Sequence, residues 1–325
     1  MKAEIKPRIN FEGRTRLETV IPLSTPYLVF LDPSDLCNQQ CRFCPTGNVK
    51  MISKIRKQQL MPLDLYKKII DDLCALPEPV KTLRLYGDGE PLLNVNFPKM
   101  VEYAVSTGRF ECVDTTTNGL LLSEELNANL IFAGLDKIFI SVPQGYTKHY
   151  VKTVEDLYAS SRLSSHLQIF VKIIGDGMHE TDKDRFFSAF GNISDRIFIE
   201  NLSPCWPNFN VDISTWGKGI YNQPLPEKGV EVCPYLFYSL KINSDGTVSA
   251  CFLDWCRKLL LGNLTEKAFK DIWNGTLLQT FRRTHLLKQR HGLELCRNCG
   301  QLRYGNPDNI DAFAPELLGK LYEVQ

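Results

Sequence analysis

No stretch of this 325-residue chain reaches the roughly 18 consecutive apolar residues that a membrane-spanning helix needs, so no membrane partner is expected. The first ten residues, Met1 to Asn10, are polar and charged and hold no apolar core of the kind that directs secretion. A cytoplasmic location follows as an expectation. Charge of one sign is missing as well. The 38 basic and 37 acidic residues leave a formal net charge of +1, which gives no long-range pull toward nucleic acid or an anionic membrane, so nucleic acid is not an expected partner either. Two local basic runs, Lys54-Ile55-Arg56-Lys57 and Arg282-Arg283, read as solvated faces. Histidine is sparse, five in all with no two at ligand spacing, and surface or core roles are left for them. There is no internal repeat and no low-complexity tract. What remains is an ordinary soluble composition, 43% hydrophobic and 23% charged, long enough for one moderate barrel and an appendage.

Cysteine, by contrast, is abundant. Eleven thiols in a chain without export signals are expected to be metal ligands or buried side chains rather than disulfides. Three of them, Cys37, Cys41 and Cys44, sit in the run Cys-Asn-Gln-Gln-Cys-Arg-Phe-Cys. A closed 4Fe–4S site takes four cysteines, so this run leaves one iron without a protein ligand, a place for chemistry rather than electron storage. Zinc is the competing reading. Its thiolate sites usually come as two separated pairs, and three thiols in one run with no histidine nearby fit it poorly.

The remainder of the first two hundred residues alternates strands and helices. Segments of strand length occur at 27–31, 82–86, 112–117, 138–140, 169–174 and 197–199, the first of them an uninterrupted apolar run. Helical spacing appears at 62–76, opened by Pro62, at 97–106, after a capping Ser123, and at 147–163. Several strands are near-continuous apolar runs, as in parallel sheets buried on both faces. Six strand–helix repeats in about 175 residues predict an α/β fold with a parallel sheet, whose sites lie at the carboxyl ends of strands. The cysteine run follows the first strand. Residues 1–26 read as a lead-in and 203–232 as a bridging segment, marked by Pro204, Pro207, Pro224 and Pro226 with Trp206 and Trp216. A smaller unit is expected over 233–310, followed by a tail over 311–325.

Gly87-Asp88-Gly89-Glu90-Pro91 follows the second strand, and its two glycines allow a sharp turn and close approach to a ligand. The three-cysteine run followed some forty residues later by this turn resembles the signature of the radical S-adenosylmethionine superfamily. The resemblance implies a partial, six-stranded (β/α) barrel of TIM type. It also implies that the open iron chelates the amino and carboxylate groups of S-adenosyl-L-methionine. Phe43 occupies the commonly aromatic position before the third cysteine. Gly87, Asp88, Gly89 and Glu90 match the motif that lines the methionine end. Asn118, in Thr115-Thr116-Thr117-Asn118-Gly119, Ser141, and Lys172 with Gly175 stand at the strand ends where the family contacts carboxylate, ribose and adenine.

A second set of thiols lies further on. Cys233 and Cys251 flank Asn243-Ser244-Asp245-Gly246, a hairpin turn between two alternating runs, and Cys296 and Cys299 follow a helical stretch around Ala268, Phe269, Ile272 and Trp273. Spacing alone leaves a structural zinc ribbon open. The order of cysteine, Asp-Gly, cysteine and distal Cys-x-x-Cys resembles the truncated SPASM domain called Twitch, which holds one auxiliary 4Fe–4S cluster. The spacing is close to that of the radical 2-deoxy-scyllo-inosamine dehydrogenases. Two 4Fe–4S clusters are thereby implied, with no cysteine after Cys299 for a third. Cys74 and Cys112 read as buried thiols, Cys256 as a spare ligand, and Cys205, in Ser-Pro-Cys-Trp-Pro, as a candidate hydrogen donor near an approaching substrate.

The resemblance implies reductive cleavage of S-adenosylmethionine, fed by a flavodoxin- or ferredoxin-type donor, to a 5′-deoxyadenosyl radical that takes hydrogen from a C–H bond. The auxiliary cluster then moves an electron to or from the substrate radical. A small polyol, amino sugar or related metabolite is the expected substrate, undergoing dehydrogenation or epimerisation. A peptide-modifying maturase is the alternative, set back by a 26-residue lead-in too short for a leader-binding domain. An electron carrier or zinc-stabilised binding module comes third, because neither needs an aminoacyl pocket. Arg84, Tyr146, His149 and Trp206 are substrate candidates by position only.

Overall fold

The computed structural model describes residues 1–212 and 217–323; Trp216 of the bridging segment lies outside the described residues. Ten strands form one sheet: β1 (Glu4–Ile5), β2 (Leu28–Leu31), β3 (Thr82–Arg84), β4 (Val113–Thr117), β5 (Lys137–Val142), β6 (Gln168–Ile174), β7 (Arg196–Glu200), β8 (Ser239–Ile242), β9 (Thr247–Ser249) and β10 (Leu260–Asn263). Their order across the sheet is β1-β7-β6-β5-β4-β3-β2-β8-β9-β10. Every pairing from β1 to β8 is parallel, while β8–β9 and β9–β10 are antiparallel.

Helices Leu63–Cys74, Phe97–Ser106, Glu124–Phe132, Lys148–Ser164 and Glu180–Phe190 follow β2 to β6 in turn; the first four lie close to the spans expected from periodicity, and the fifth was not expected. Their starts have local causes. Ser123 Oγ accepts from Leu126 N at 3.2 Å and Thr147 Oγ1 from Tyr150 N at 3.1 Å, each satisfying an orphan first-turn donor. Six parallel strands, five of them followed by a helix, in an unclosed sheet make the expected partial barrel.

One expectation is corrected. The strands are not apolar on both faces. Val29, Leu31, Leu83, Leu85, Ile138, Ile140, Ile169, Val171, Ile173 and Ile197 are buried in the core shared with the helices. The alternate positions face the other way, and their register sets Arg84 beside Asp114 and Ser141 beside Lys172. In-register neighbours of a sheet share a face. The inner face therefore mixes charged and polar side chains with Phe30, Phe139 and Phe170, and a short strand with one charged residue inside still scans as an apolar run.

Three further differences concern the ends. The lead-in is part of the sheet, since Glu4 and Ile5 pair with Arg196 and Ile197. The hairpin of the smaller unit is continuous with the barrel, since β8 pairs along all of β2. The tail is structural, since the Asp311 carboxylate accepts from Glu231 N and Val232 N at 2.7–3.1 Å and Ile310, Ala314 and Leu317 are buried. Among the described residues no helix is long and apolar enough to cross a membrane.

Candidate active site

The cysteine run leaves the carboxyl end of β2 and turns back through the first bond of its loop, with Cys44 N donating to Cys41 O at 3.1 Å. The three thiols are half-buried. Burial, and then the charge on the other two, pushes the Cys44 thiol up to about 11; burial also raises Cys37 and Cys41. Phe43 is half-buried between Cys41 and Cys44.

The Gly-Asp-Gly-Glu-Pro turn presses directly on this loop. Glu90 N donates to Leu36 O at 2.8 Å, and a Cβ at Gly89 would strike the carbonyls of Ser34 and Leu36. Glycine is needed there for the approach of the cysteine loop. The Glu90 carboxylate is buried and accepts from Thr117 Oγ1 at 2.6 Å, Asn118 N at 2.8 Å and Leu92 N at 3.1 Å. Asn118 Nδ2 in turn donates to Asn38 Oδ1 at 2.7 Å, tying the end of β4 to the residue after Cys37. On the far side Arg42 pairs with Asp176, beyond β6.

Asp88 is held by a buried ion network. Its Oδ1 lies 2.5 Å from Lys241 Nζ, and its Oδ2 3.0 Å from Arg56 and 3.6 Å from Arg257; Arg56 and Arg257 also reach Asp35, at 3.0 and 3.5 Å. The three cations keep the Asp88 carboxyl below its ordinary value against the opposing effect of burial. Asp88 therefore presents its backbone to the space above the sheet, while its side chain joins the turn to β8. Arg56 and Arg282 also correct the reading of the basic runs as solvated. Arg56 is 8% exposed, and Arg282 is buried over the Trp273 ring at 4.2 Å.

The second set of thiols comes together from three segments. Burial raises all four thiols, and the charge on neighbouring cysteines adds to it at Cys233, Cys251 and Cys296, the last reaching about 12. Cys233 N donates to Nδ1 of the buried His285 at 3.1 Å. Among the described residues no three His, Cys, Asp or Glu side chains close on one point as the ligands of a single ion would. Four neighbouring half-buried thiols and no carboxylate ligand make a donor set suited to iron–sulfur ligation. Cys256 stands apart, its charged neighbours being Asp254, Lys258 and Glu294. Cys205 is buried beside Cys299, with a Cβ at Gly300 striking Pro204 O, so it lies next to the second group.

That group abuts the barrel interior. Phe252, which follows Cys251, stacks on Phe30 of β2 with centroids 4.9 Å apart and planes 12° apart, and Phe30 meets Tyr86 edge-on at 5.8 Å. The interior wall continues through Arg84, paired with Asp114 at 3.2 Å, to Lys172, paired with Glu200 at 2.7 Å. Ser141 is half-buried beside Lys172, and Gly175 lies against Ile199, where a Cβ would come within 2.5 Å of Cγ2. Tyr146 packs instead on Phe190 among the helices, and His149 is exposed on helix Lys148–Ser164.

Comparison with known proteins gives this arrangement a family. A profile described as "Radical SAM superfamily" matches residues 31–185, and one described as "SPASM: Iron-sulfur cluster-binding domain" matches 233–300. The chain belongs to the radical S-adenosylmethionine superfamily. It is 23% identical over 286 residues to the S-adenosyl-L-methionine-dependent 2-deoxy-scyllo-inosamine dehydrogenase of Niallia circulans, an alignment covering 87% of this chain and 96% of that one. The crystal structure of BtrN in complex with AdoMet and 2-DOIA matches with a TM-score of 0.56 at 21% identity, over 84% of this chain and 92% of that one. Streptococcus suis SuiB bound to precursor peptide SuiA matches with a TM-score of 0.62 at 14% identity, over 82% and 69%. As a radical S-adenosylmethionine protein with a SPASM domain, the chain is an oxidoreductase-type enzyme whose cofactors are S-adenosylmethionine and 4Fe–4S clusters.

Two residues that contact the side chains of the interior wall and the glycine turn escaped the sequence reading. Arg8 reaches Glu200 at 3.2 Å and Tyr221 Oη at 3.3 Å. Asp32 underlies the glycine turn, accepting from Asp88 N at 2.9 Å. The alternation of Phe30, Arg84, Asp114, Lys172 and Glu200 along successive strand ends was the available signal for the charged interior. Nothing local marks Arg8.

Proposed function

We propose that the enzyme removes a hydrogen atom from a C–H bond of a small polyol, amino sugar or related metabolite, in a dehydrogenation or an epimerisation. In this reading the partial barrel spans 27–202 and the auxiliary unit 233–310. Cys37, Cys41 and Cys44 hold the cluster with the open iron, and Cys233, Cys251, Cys296 and Cys299 hold the second. When bound, S-adenosylmethionine and the reduced cluster supply a 5′-deoxyadenosyl radical, with a flavodoxin or ferredoxin as the electron donor.

The chain's own residues position and enclose. Gly87, Gly89 and Glu90 with Asn118 fix the cysteine loop against the ends of β3 and β4, and the backbone of this turn lines the methionine end. Ser141, Lys172 and Gly175 form the opposite wall. The inner face, closed by the helices behind it, keeps the reacting groups from water and in fixed orientation. The observation that carries the reading is the stacking of Phe252 on Phe30, which sets the second thiol group against the same interior that the cysteine loop caps. An electron acceptor beside the substrate makes a net two-electron oxidation feasible. Cys205, a buried thiol in the same quarter, suits a hydrogen donor only if the outcome is epimerisation.

The likeness to SuiB supports peptide modification as the second reading, at the level of fold. Metal analysis after anaerobic reconstitution tests the scheme. The wild type should carry about eight irons and the Cys37→Ala/Cys41→Ala/Cys44→Ala variant about four, with 5′-deoxyadenosine formed only by the wild type. About four irons and one zinc in the wild type would make the second site structural and remove the oxidative scheme. A polyol and amino-sugar screen without turnover, against turnover of a peptide library, would favour the maturase.

A further inference from the structure

The inner wall holds more positive charge than its carboxylates balance. Parallel pairing of β1 with β7 brings the lead-in level with the carboxyl end of β7, and there Arg8 Nε lies 3.2 Å from Glu200 Oε1. Lys172 Nζ lies 2.7 Å from Glu200 Oε2. One carboxylate thus serves two cations. The next pair, Arg84 with Asp114, is one to one, and Arg84 is close enough to Arg8 to oppose its charge. Three cations therefore face two carboxylates, and Lys137 lies near Asp114 as a further positive charge.

Both arginines remain accessible. Arg8 keeps 26% and Arg84 23% of its side-chain surface although each is ion-paired. The same wall carries polar atoms without partners, Asp114 Oδ1 and Thr116 Oγ1, and the phenols of Tyr86 and Tyr221. Buried polar atoms without partners are costly unless a ligand supplies them. Burial, incompletely offset by Glu200, keeps the Lys172 ammonium below its ordinary value, as expected where cations outnumber anions.

We propose that this interior is built for a hydroxylated small molecule bearing an anionic group, a carboxylate or a phosphate, and that Arg8 is the residue that selects it. This rests on reading the interior as the substrate site, and it sets the substrate apart from a free amino sugar. The carboxylate of S-adenosylmethionine is the rival claimant for the charge. Lys172, on one oxygen of Glu200, stands on the cofactor side, but Arg8 takes the other oxygen and is a neighbour of Cys205, which is beside Cys299, whereas Glu90 and Asn118 border Cys37 and Asn38. Arg8 stands on the second cluster's side of the interior.

The test is calorimetric titration of the anaerobically reconstituted holoenzyme, saturated with S-adenosylmethionine, using glucuronate, glucose 6-phosphate, glucose and glucosamine. One of the two anions should bind about tenfold to a hundredfold more tightly than glucose, the range of a charge-assisted hydrogen bond, and which one does so identifies the group. Glucosamine should bind no better than glucose. Arg8→Gln should erase the anion margin while leaving glucose unchanged, and Arg8→Lys should restore part of it. The proposal is overturned if neither anion exceeds glucose, if glucosamine binds best, or if the margin survives in Arg8→Gln. It is equally overturned if Arg8→Gln weakens S-adenosylmethionine tenfold and leaves the sugars alone. The wider reading is judged separately, by dithionite-driven formation of 5′-deoxyadenosine without any sugar. Its failure would leave the binding margins to decide the anion.

Discussion

The two cysteine groups are built in opposite ways. Cys37, Cys41 and Cys44 come from eight consecutive residues and owe their placement to a glycine turn pressed against one loop. Cys233, Cys251, Cys296 and Cys299 come from three segments spread over residues 233–299, and the hairpin, the bond from Cys233 N to His285 and the Asp311 carboxylate hold those segments together. A local loop can leave a coordination position free and still keep its shape. A site assembled from distant pieces is closed by the act of folding. The division of labour proposed for them, chemistry at the first and electron transfer at the second, follows that difference.

Single substitutions should separate them most sharply. Cys44→Ala should abolish 5′-deoxyadenosine formation, a loss on the order of a thousandfold or more, because the cleaving site loses a ligand. Cys251→Ala should lower iron by about four per chain yet leave cleavage without substrate within about tenfold of wild type. Equal loss of cleavage in both variants would show that the two sites are not functionally distinct.

The groups are nonetheless joined, and the joint can be broken. Asp88 belongs to the glycine turn of the first site and Lys241 to the strand that carries the second, and the pair is fully buried. Asp88→Ala would leave Lys241, Arg56 and Arg257 with only Asp35 and the titrating Asp32 among them. Removing one partner of a buried ion pair costs about 3–5 kcal/mol. Anaerobic chemical denaturation should register that loss, with iron depleted from both sites together. A cost below about 1 kcal/mol would mean that solvent reaches the network and that the two regions are mechanically independent.

This joint explains which parts were legible in the sequence. Periodicity located the six barrel strands and four of their helices, though not Glu180–Phe190, because each is decided by neighbours within a turn or two. The cysteine run and the glycine turn were legible for the same reason. Arg56 was not, since a Lys-Ile-Arg-Lys run looks solvated until Asp35 and Asp88 are brought to it, and Lys241 meets Asp88 across 153 positions. Charged residues on the inner face were hidden inside apolar-looking strands, where one arginine or lysine among four or five residues barely alters the pattern. Arg8 sits in a lead-in with no pattern at all, and only the pairing of β1 with β7 gives it a place.

The smallest expected effect concerns pH. Asp32 lies under the glycine turn, and its carboxyl is raised from the ordinary range to about 7, first by burial and then by the charge on Asp88. A carboxyl whose folded pKa exceeds its unfolded value of about 3.9 favours folding fully only below that lower value, and the contribution is lost as pH rises through about 7. Wild-type stability should therefore fall across this window by an amount traceable to Asp32. Asp32→Asn keeps an oxygen for Asp88 N and removes the titration, so its stability relative to wild type should rise between pH 5 and pH 8. Paired denaturation curves at those two values measure it. A constant difference between variant and wild type would mean that Asp32 ionises at its ordinary pH despite its burial, and that the three cations around Asp88 extend their stabilisation to it as well.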